Sequence, residues 1–225
     1  MSPYRSANFG PRPAGMPVDM LVIHYTGMVT AEAALERLCD PAAKVGAHYV
    51  IDEDGAVHAL IDEAMRAWHA GEAFWRGETD VNGRSVGIEL VNPGHEFGYR
   101  PFPEAQMAAL IALCRDIVAR HPIPPANVVG HSDVAPRRKS DPGELFDWPR
   151  LAAAGLGRWP VGTAAGRGEG DAAGLLAAVG YETVDLQKTV AAFQRHFRPA
   201  LIDGILDGET LGRLRMLAGD PDDKG

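Results

Sequence analysis

The stretch Asp19–Gly27, DMLVIHYTG, sets the architecture. Met20 to Ile23 form an apolar run of strand length, and at His24 polar groups and a glycine replace the aliphatics. A strand that ends on a histidine carries the ring to the edge of a sheet, where open α/β sheets hold their ligands. Thr30 is placed to cap a helix over 31–38, with Pro41 marking its end.

Outward from this strand and helix, the runs 47–51 and 56–61 flank Glu53-Asp54-Gly55 and read as a hairpin. Residues 66–85 read as one long loop carrying tryptophans, a histidine and arginines, of the kind that shapes a binding groove. Ser85–Val91, SVGIELV, is a further strand whose single acid, Glu89, must face solvent or a cation. Met107, Leu110, Ile111, Cys114, Ile117 and Val118 make an apolar stripe along a helix over 103–120. Residues 127–130 return as a strand. This order predicts an α/β fold, a mixed β-sheet flanked by helices.

Beyond Trp159 the pattern changes. Residues 159–170 lack periodicity and read as a linker. Residues 171–219 carry three short amphipathic stretches: Leu175, Leu176 and Val179; Leu186, Val190, Phe193 and Phe197; and Leu211, Leu214 and Leu217 behind a capping Asp207. They predict a small C-terminal three-helix bundle that leans on the preceding domain. Residues 1–17, rich in proline and glycine, are expected as an extended surface arm, 18–158 as the main domain and 220–225 as a tail.

The formal net charge of −8 argues against nucleic acid or an anionic membrane surface as partner. No run approaches the roughly 18 apolar residues of a membrane span. With no apolar leader in the first residues the expected location is the cytoplasm, or the cell envelope if a leader has been trimmed. Cys39 and Cys114 lack CxxC spacing and read as reduced thiols. No obligate protein partner is implied.

Chemistry concentrates in Val128–Phe146, VVGHSDVAPRRKSDPGELF, which brings His131, Lys139 and Asp141 onto one short irregular segment. Of the eight histidines, His95, His121 and His196 read as solvated, and His58 as structural. His24, His48, His69 and His131 remain as candidate ligands, with an ordinary buried or surface ring the plain alternative for each. His24 and His131 both end strands. With Asp141 they would form a His₂Asp set with one open position, as catalytic zinc is held.

Five motifs then carry a resemblance: Val22-Ile23-His24-Tyr25-Thr26, Ala67-Trp68-His69-Ala70-Gly71, Ser85-Val86-Gly87-Ile88-Glu89-Leu90, Gly130-His131-Ser132-Asp133 and Ala135 through Gly143. In this order, over about residues 18–155, the chain resembles the zinc-dependent N-acetylmuramoyl-L-alanine amidases of the AmpD/AmiD type, related in fold to peptidoglycan recognition proteins. The resemblance implies one Zn²⁺ held by His24, His131 and Asp141, with Glu89 as acid/base and Lys139 as the cation beside the reacting carbonyl. It implies hydrolysis of the amide joining N-acetylmuramic acid, in the 1,6-anhydro form, to L-alanine, during cytoplasmic peptidoglycan recycling. It also places the 66–85 loop on a muropeptide groove, with His69, Trp75, Arg76 and Asn82 as candidate contacts and His48 on the neighbouring strand.

One departure stands out. Asp80 lies where some relatives have an arginine, leaving Arg76 or Arg84 for the stem peptide. Residues 171–219 are similar to three-helix peptidoglycan-binding modules, although Asp207 replaces a glycine usual there. An exported amidase acting on intact wall and a non-catalytic recognition protein are the alternative readings.

Overall fold

The structure is a computed structural model that describes residues 4–162 and 171–219. In chain order its elements are β1 (Phe9–Pro11), β2 (Met20–Tyr25), α1 (Ala31–Cys39), β3 (Tyr49–Ile51), β4 (Val57–Ala59), β5 (Met65–Ala67), α2 (Val81–Arg84) and β6 (Ser85–Leu90). They continue with α3 (Gly94–Phe97), α4 (Glu104–Arg120), β7 (Val128–Gly130), α5 (His131–Val134), α6 (Trp148–Ala153), α7 (Ala172–Val179), α8 (Leu186–Phe197) and α9 (Gly208–Ala218).

A five-stranded sheet in the order β4-β3-β6-β2-β7 organises these elements. β2 pairs in parallel with β6 on one side and β7 on the other, β3 runs parallel to β6, and only β4 is antiparallel. The sheet is therefore mixed and flanked by helices, as the element order predicts. Met20, Leu21, Val22 and Ile23 are all fully buried, as expected for a central strand covered on both faces.

On one face, Met107, Leu110, Cys114 and Ile117 of α4 pack with Leu21, Ile23, Ile88 and Leu90. Thr30 caps α1 by accepting from the Ala33 N–H at 3.2 Å, and Leu35 and Leu38 of that helix pack against Val50, Leu60 and Ile61.

The opposite face is covered by the C-terminal helices. Met20, Val22 and Val129 share one apolar cluster with Leu176, Val179, Tyr181, Phe193, Phe197 and Leu214. The bundle does more than lean on the preceding residues; it completes the core beneath the sheet. Leu186 stays exposed, and Thr189, Ala192 and Gln194 take buried positions on α8. Gln194 is buried because its side-chain oxygen accepts from the N–H groups of Asp203 and Gly204 while its amide donates to the Ile205 carbonyl.

Three expectations need correction. The arm is built into the fold over its described residues: Phe9–Pro11 pairs antiparallel with Met65–Ala67, and the buried Asn8 amide donates to the carbonyls of Leu38, Asp40 and Val45. The 66–85 segment is not one loop, since it opens within β5 and closes with α2. The expected linker begins as core: Trp159 packs with both main clusters under the Arg213 guanidinium, and Arg158 donates to the Leu217 carbonyl at 3.1 Å. Residues 1–3 of the expected arm, 163–170 of the expected linker and the 220–225 tail lie outside the described residues.

Candidate metal centre and substrate groove

The register of the sheet sets the site. His24 pairs with Glu89 across β2 and β6, and Ile23 pairs with Gly130 across β2 and β7, so His131 follows directly on the other flank of β2. All three residues stand at the carboxyl ends of parallel strands. Asp141 arrives from the loop after α5, whose backbone is tied down by the Ser132 N–H donating to the Asp141 carbonyl at 2.8 Å. Gly130 is required there, because a Cβ would sit 2.7 Å from the Pro142 ring.

Nδ1 of His24 lies 2.9 Å from Nδ1 of His131, and each lies 3.1 Å from Oδ2 of Asp141. All three side chains are buried. Donors around a tetrahedral ion with bonds of roughly 2 Å stand about 3.3 Å apart, so this triangle fits a small divalent metal. The outer nitrogens are occupied: Nε2 of His131 is 3.0 Å from the Ala70 carbonyl, and Nε2 of His24 is 3.0 Å from Nδ1 of His69.

Burial, reinforced by the neighbouring His131, lowers the His24 pKa to about 4. Burial opposes ionisation of Asp141, but the two imidazoles beside it outweigh that and hold its carboxyl well below the usual range. Near neutral pH the donor set is therefore a carboxylate with a neutral His24 imidazole, which suits a divalent cation.

Glu89 faces the same cavity. Its Oε2 is buried with no hydrogen-bond partner among the described residues. Burial, with the nearby Asp141 carboxylate adding to it and Lys139 opposing, pushes the Glu89 pKa well above its ordinary value. The cavity, about 390 Å³, also receives Lys139, Trp68 and His69 and has a second wall built from Met28, Ala34, Arg37, Leu38 and Val45.

Other candidates sit elsewhere. His48 is fully buried behind the site: its Nδ1 accepts from the Gly87 N–H at 2.9 Å, and its Nε2 lies 3.0 Å from the Met65 carbonyl. Trp75 is a core residue, packed edge-on against Tyr181 and donating to Oδ1 of Asn127 at 3.2 Å. Arg76 packs against Gly180 of the bundle, and its N–H donates to the Gly180 carbonyl. Asn82 is buried and accepts from the N–H groups of His69 and Ala70, which pins the Trp-His-Ala-Gly turn. His48, Trp75, Arg76 and Asn82 do not line the cavity. Arg84 is committed to Asp19, and Asp80 caps α2 and pairs with Arg66 at 2.7 Å.

His196, expected as solvated, is buried: it stacks on Trp148 and sets its Nδ1 2.7 Å from Oδ2 of Asp133. Asp133 also receives the Gly130 N–H at 2.7 Å and the Tyr181 hydroxyl at 2.6 Å. It joins the turn bearing His131 to the bundle, a role with no local signal in the sequence. Arg138 was also missed as a groove residue, although it directly precedes Lys139. It lines the cavity while donating to the carbonyls of Ala70 and Glu72.

Two histidines and an aspartate beside a buried glutamate, at the carboxyl ends of parallel strands in a mixed sheet, make a donor set able to hold a small divalent cation. The sequence profile of the N-acetylmuramoyl-L-alanine amidases matches residues 14–144, and the chain belongs to that family. N-acetylmuramoyl-L-alanine amidase AmiD of Escherichia coli is 40% identical over 222 residues, covering 86% of this chain and 79% of that protein. The 1,6-anhydro-N-acetylmuramyl-L-alanine amidase AmpD of Haemophilus influenzae is 31% identical over 164 residues, covering 65% of this chain and 87% of that protein.

Among solved structures, AmiD from E. coli in complex with anhydro-N-acetylmuramic acid-L-Ala-D-γ-Glu-L-Lys superposes with a TM-score of 0.83 at 38% identity, covering 94% of this chain and 93% of that one. AmpDh3 from Pseudomonas aeruginosa, in complex with an anhydromuramic pentapeptide, gives 0.82 at 31% identity, covering 97% and 98%.

Proposed function

We propose that the protein is a zinc amidase that cleaves the bond between the lactyl carbonyl of 1,6-anhydro-N-acetylmuramic acid and the L-alanine nitrogen of the stem peptide. The observation that carries this reading is the convergence of His24 Nδ1, His131 Nδ1 and Asp141 Oδ2 in the cavity that also receives the unpartnered Oε2 of Glu89. His24, His131 and Asp141 would hold the ion, which when bound supplies a Lewis acid toward oxygen.

Glu89 takes a proton from the attacking water at Oε2 and returns it to the departing L-alanine nitrogen, so the acid ends each cycle as it began. Lys139 sets a cation beside the carbonyl oxygen, whose negative charge grows as the carbon becomes tetrahedral. Trp68 offers an aromatic face to the sugar or peptide. Arg37 has no side-chain partner among the described residues and stands free on the second wall to receive a stem-peptide carboxylate.

Support for the substrate comes from the anhydromuramyl peptides in the AmiD and AmpDh3 complexes, both of which match this chain along nearly its whole length. Action on soluble fragments in cytoplasmic recycling belongs to the same proposal. Among the described residues no helix is long and apolar enough to cross a membrane. The test is product analysis with a defined anhydromuramyl tripeptide, its non-anhydro counterpart and intact sacculi. Release of free tripeptide from the anhydro substrate is expected. Release from sacculi alone would move the assignment to intact wall, and binding without Glu89-dependent cleavage would make the chain a recognition protein.

A further inference from the structure

A neutral imidazole carries one hydrogen on its two nitrogens, and only the bare nitrogen can hold a metal. For His131 both outer contacts are acceptors, the Ala70 carbonyl 3.0 Å from Nε2 and Oδ2 of Asp141 3.1 Å from Nδ1, so a cation that engages Asp141 would leave the hydrogen on Nε2 and Nδ1 bare. For His24 the decision passes through two further side chains.

The Val81 carbonyl can only accept, and the Ser85 hydroxyl lies 2.6 Å from it and spends its one hydrogen there. Toward Nε2 of His69, 3.0 Å away, that hydroxyl is left to accept, so His69 carries its hydrogen on Nε2. Nδ1 of His69 is then an acceptor facing Nε2 of His24 at 3.0 Å. That acceptor draws the His24 hydrogen to Nε2, against the competing pull of Oδ2 of Asp141 3.1 Å from Nδ1, and so turns Nδ1 bare toward His131 and Asp141.

His48, the next ring behind, accepts from the Gly87 N–H at Nδ1 and turns its Nε2 toward the Met65 carbonyl. The His69 ring fits in this layer because Gly87 lies beneath it, where a Cβ would come within 2.4 Å of the ring. His69 thus faces the metal ligand rather than serving only as a groove contact.

We propose that Ser85 and His69 are positioning residues that fix the tautomer of His24 and so select Nδ1 as its metal-binding nitrogen. This rests on the zinc reading above for its consequence, but the tautomers themselves can be read without metal. Outer partners of this kind are worth roughly 10- to 100-fold in metal affinity.

The experiment combines long-range ¹H–¹⁵N spectra of the histidine rings with zinc competition against a chromophoric chelator. In the metal-free wild-type chain, His69 is expected with its hydrogen on Nε2. In Ser85→Ala, a mixture of His69 tautomers is expected. His69→Leu should weaken zinc binding by roughly 10- to 100-fold, and His69→Asn, whose Oδ1 can stand where Nδ1 was, should restore most of it. Wild-type spectra with the His69 hydrogen on Nδ1, or equal zinc affinity in His69→Leu and wild type, would overturn the proposal. The wild-type spectrum decides even if His69→Leu does not fold. A wild-type chain with the expected tautomers that takes up no zinc would overturn the metal reading instead, and with it this proposal's consequence for the ligand.

Discussion

Glu89 stands opposite His24 across the parallel pair β2 and β6, an acid on one strand beside an imidazole on the next. Parallel pairing keeps both at the same end of the sheet, so the strand register itself sets the distance between the proposed base and a proposed metal ligand. Because Oε2 of Glu89 has no hydrogen-bond partner among the described residues, it can take a proton from water without first breaking a hydrogen bond. Glu89→Gln should lower kcat by about 10²- to 10⁴-fold while leaving the zinc content unchanged. Peptide release followed by chromatography, together with metal analysis of the same preparation, checks both halves. Loss of zinc in that variant would instead make Glu89 a ligand.

Removing the metal should cost stability as well as activity. Three buried donor atoms within about 3 Å of one another are held together at a cost that a cation relieves. Zinc in excess of its dissociation constant by about 100-fold would add roughly 2.7 kcal/mol. Chelation is expected to lower the melting temperature and abolish hydrolysis, both restored by zinc. In Asp141→Asn the melting temperature should stop responding to added zinc.

Arg37 stands on α1 and lines the same cavity as the proposed catalytic groups, and it tests how the stem peptide is read. Arg37→Gln should raise KM several-fold for a substrate with free stem carboxylates and change kcat little, since the contact is made equally in ground and transition states. On a peptide whose carboxylates are amidated, variant and wild type should converge. Equal losses on both substrates would assign Arg37 to structure.

The fold was readable where its signals are local. The apolar run ending at His24 and the stripe from Met107 to Ile117 each report a burial pattern set by neighbours along the chain. His24, His131 and Asp141 could be grouped because two of them end strands and the third shares a loop with Lys139. What escaped was decided by distant partners. Trp75 looked like a groove residue and is core because Asn127 and Tyr181 meet it. His196 looked solvated and is buried because Asp133 and Trp148 surround it. The arm looked loose because proline and glycine hide the polar anchoring of Asn8.

The bundle should unfold with the rest of the chain. Tyr181 and His196 both reach Asp133, and Met20, Val22 and Val129 lose their cover if the helices leave. Trp75→Ala, at the centre of that contact, is expected to cost about 3–5 kcal/mol. Denaturant unfolding followed by far-ultraviolet circular dichroism and by tryptophan fluorescence should give coincident transitions in the wild type. Two separate transitions would show an independent module.

Acid sensitivity should come in part from Glu63, which does not line the cavity of the proposed metal site. Burial alone would discourage its ionisation, but hydrogen bonds from Arg120, the Tyr49 hydroxyl at 2.6 Å and His121 outweigh it and bring the pKa down to about 2. The carboxylate is therefore favoured in the folded chain relative to the unfolded one, where the value is near 4.5. Its stabilisation is fully present above about pH 4.5 and is lost as pH falls through about 2. The difference corresponds to an upper limit of roughly 3 kcal/mol, reduced by the side chain's partial access to water. In Glu63→Gln the loss should appear at neutral pH, shrink below about pH 4.5 and vanish near pH 2. Urea midpoints of variant and wild type measured across that range decide the matter. A constant gap at every pH would mean that Glu63 acts through packing, with its charge contributing nothing.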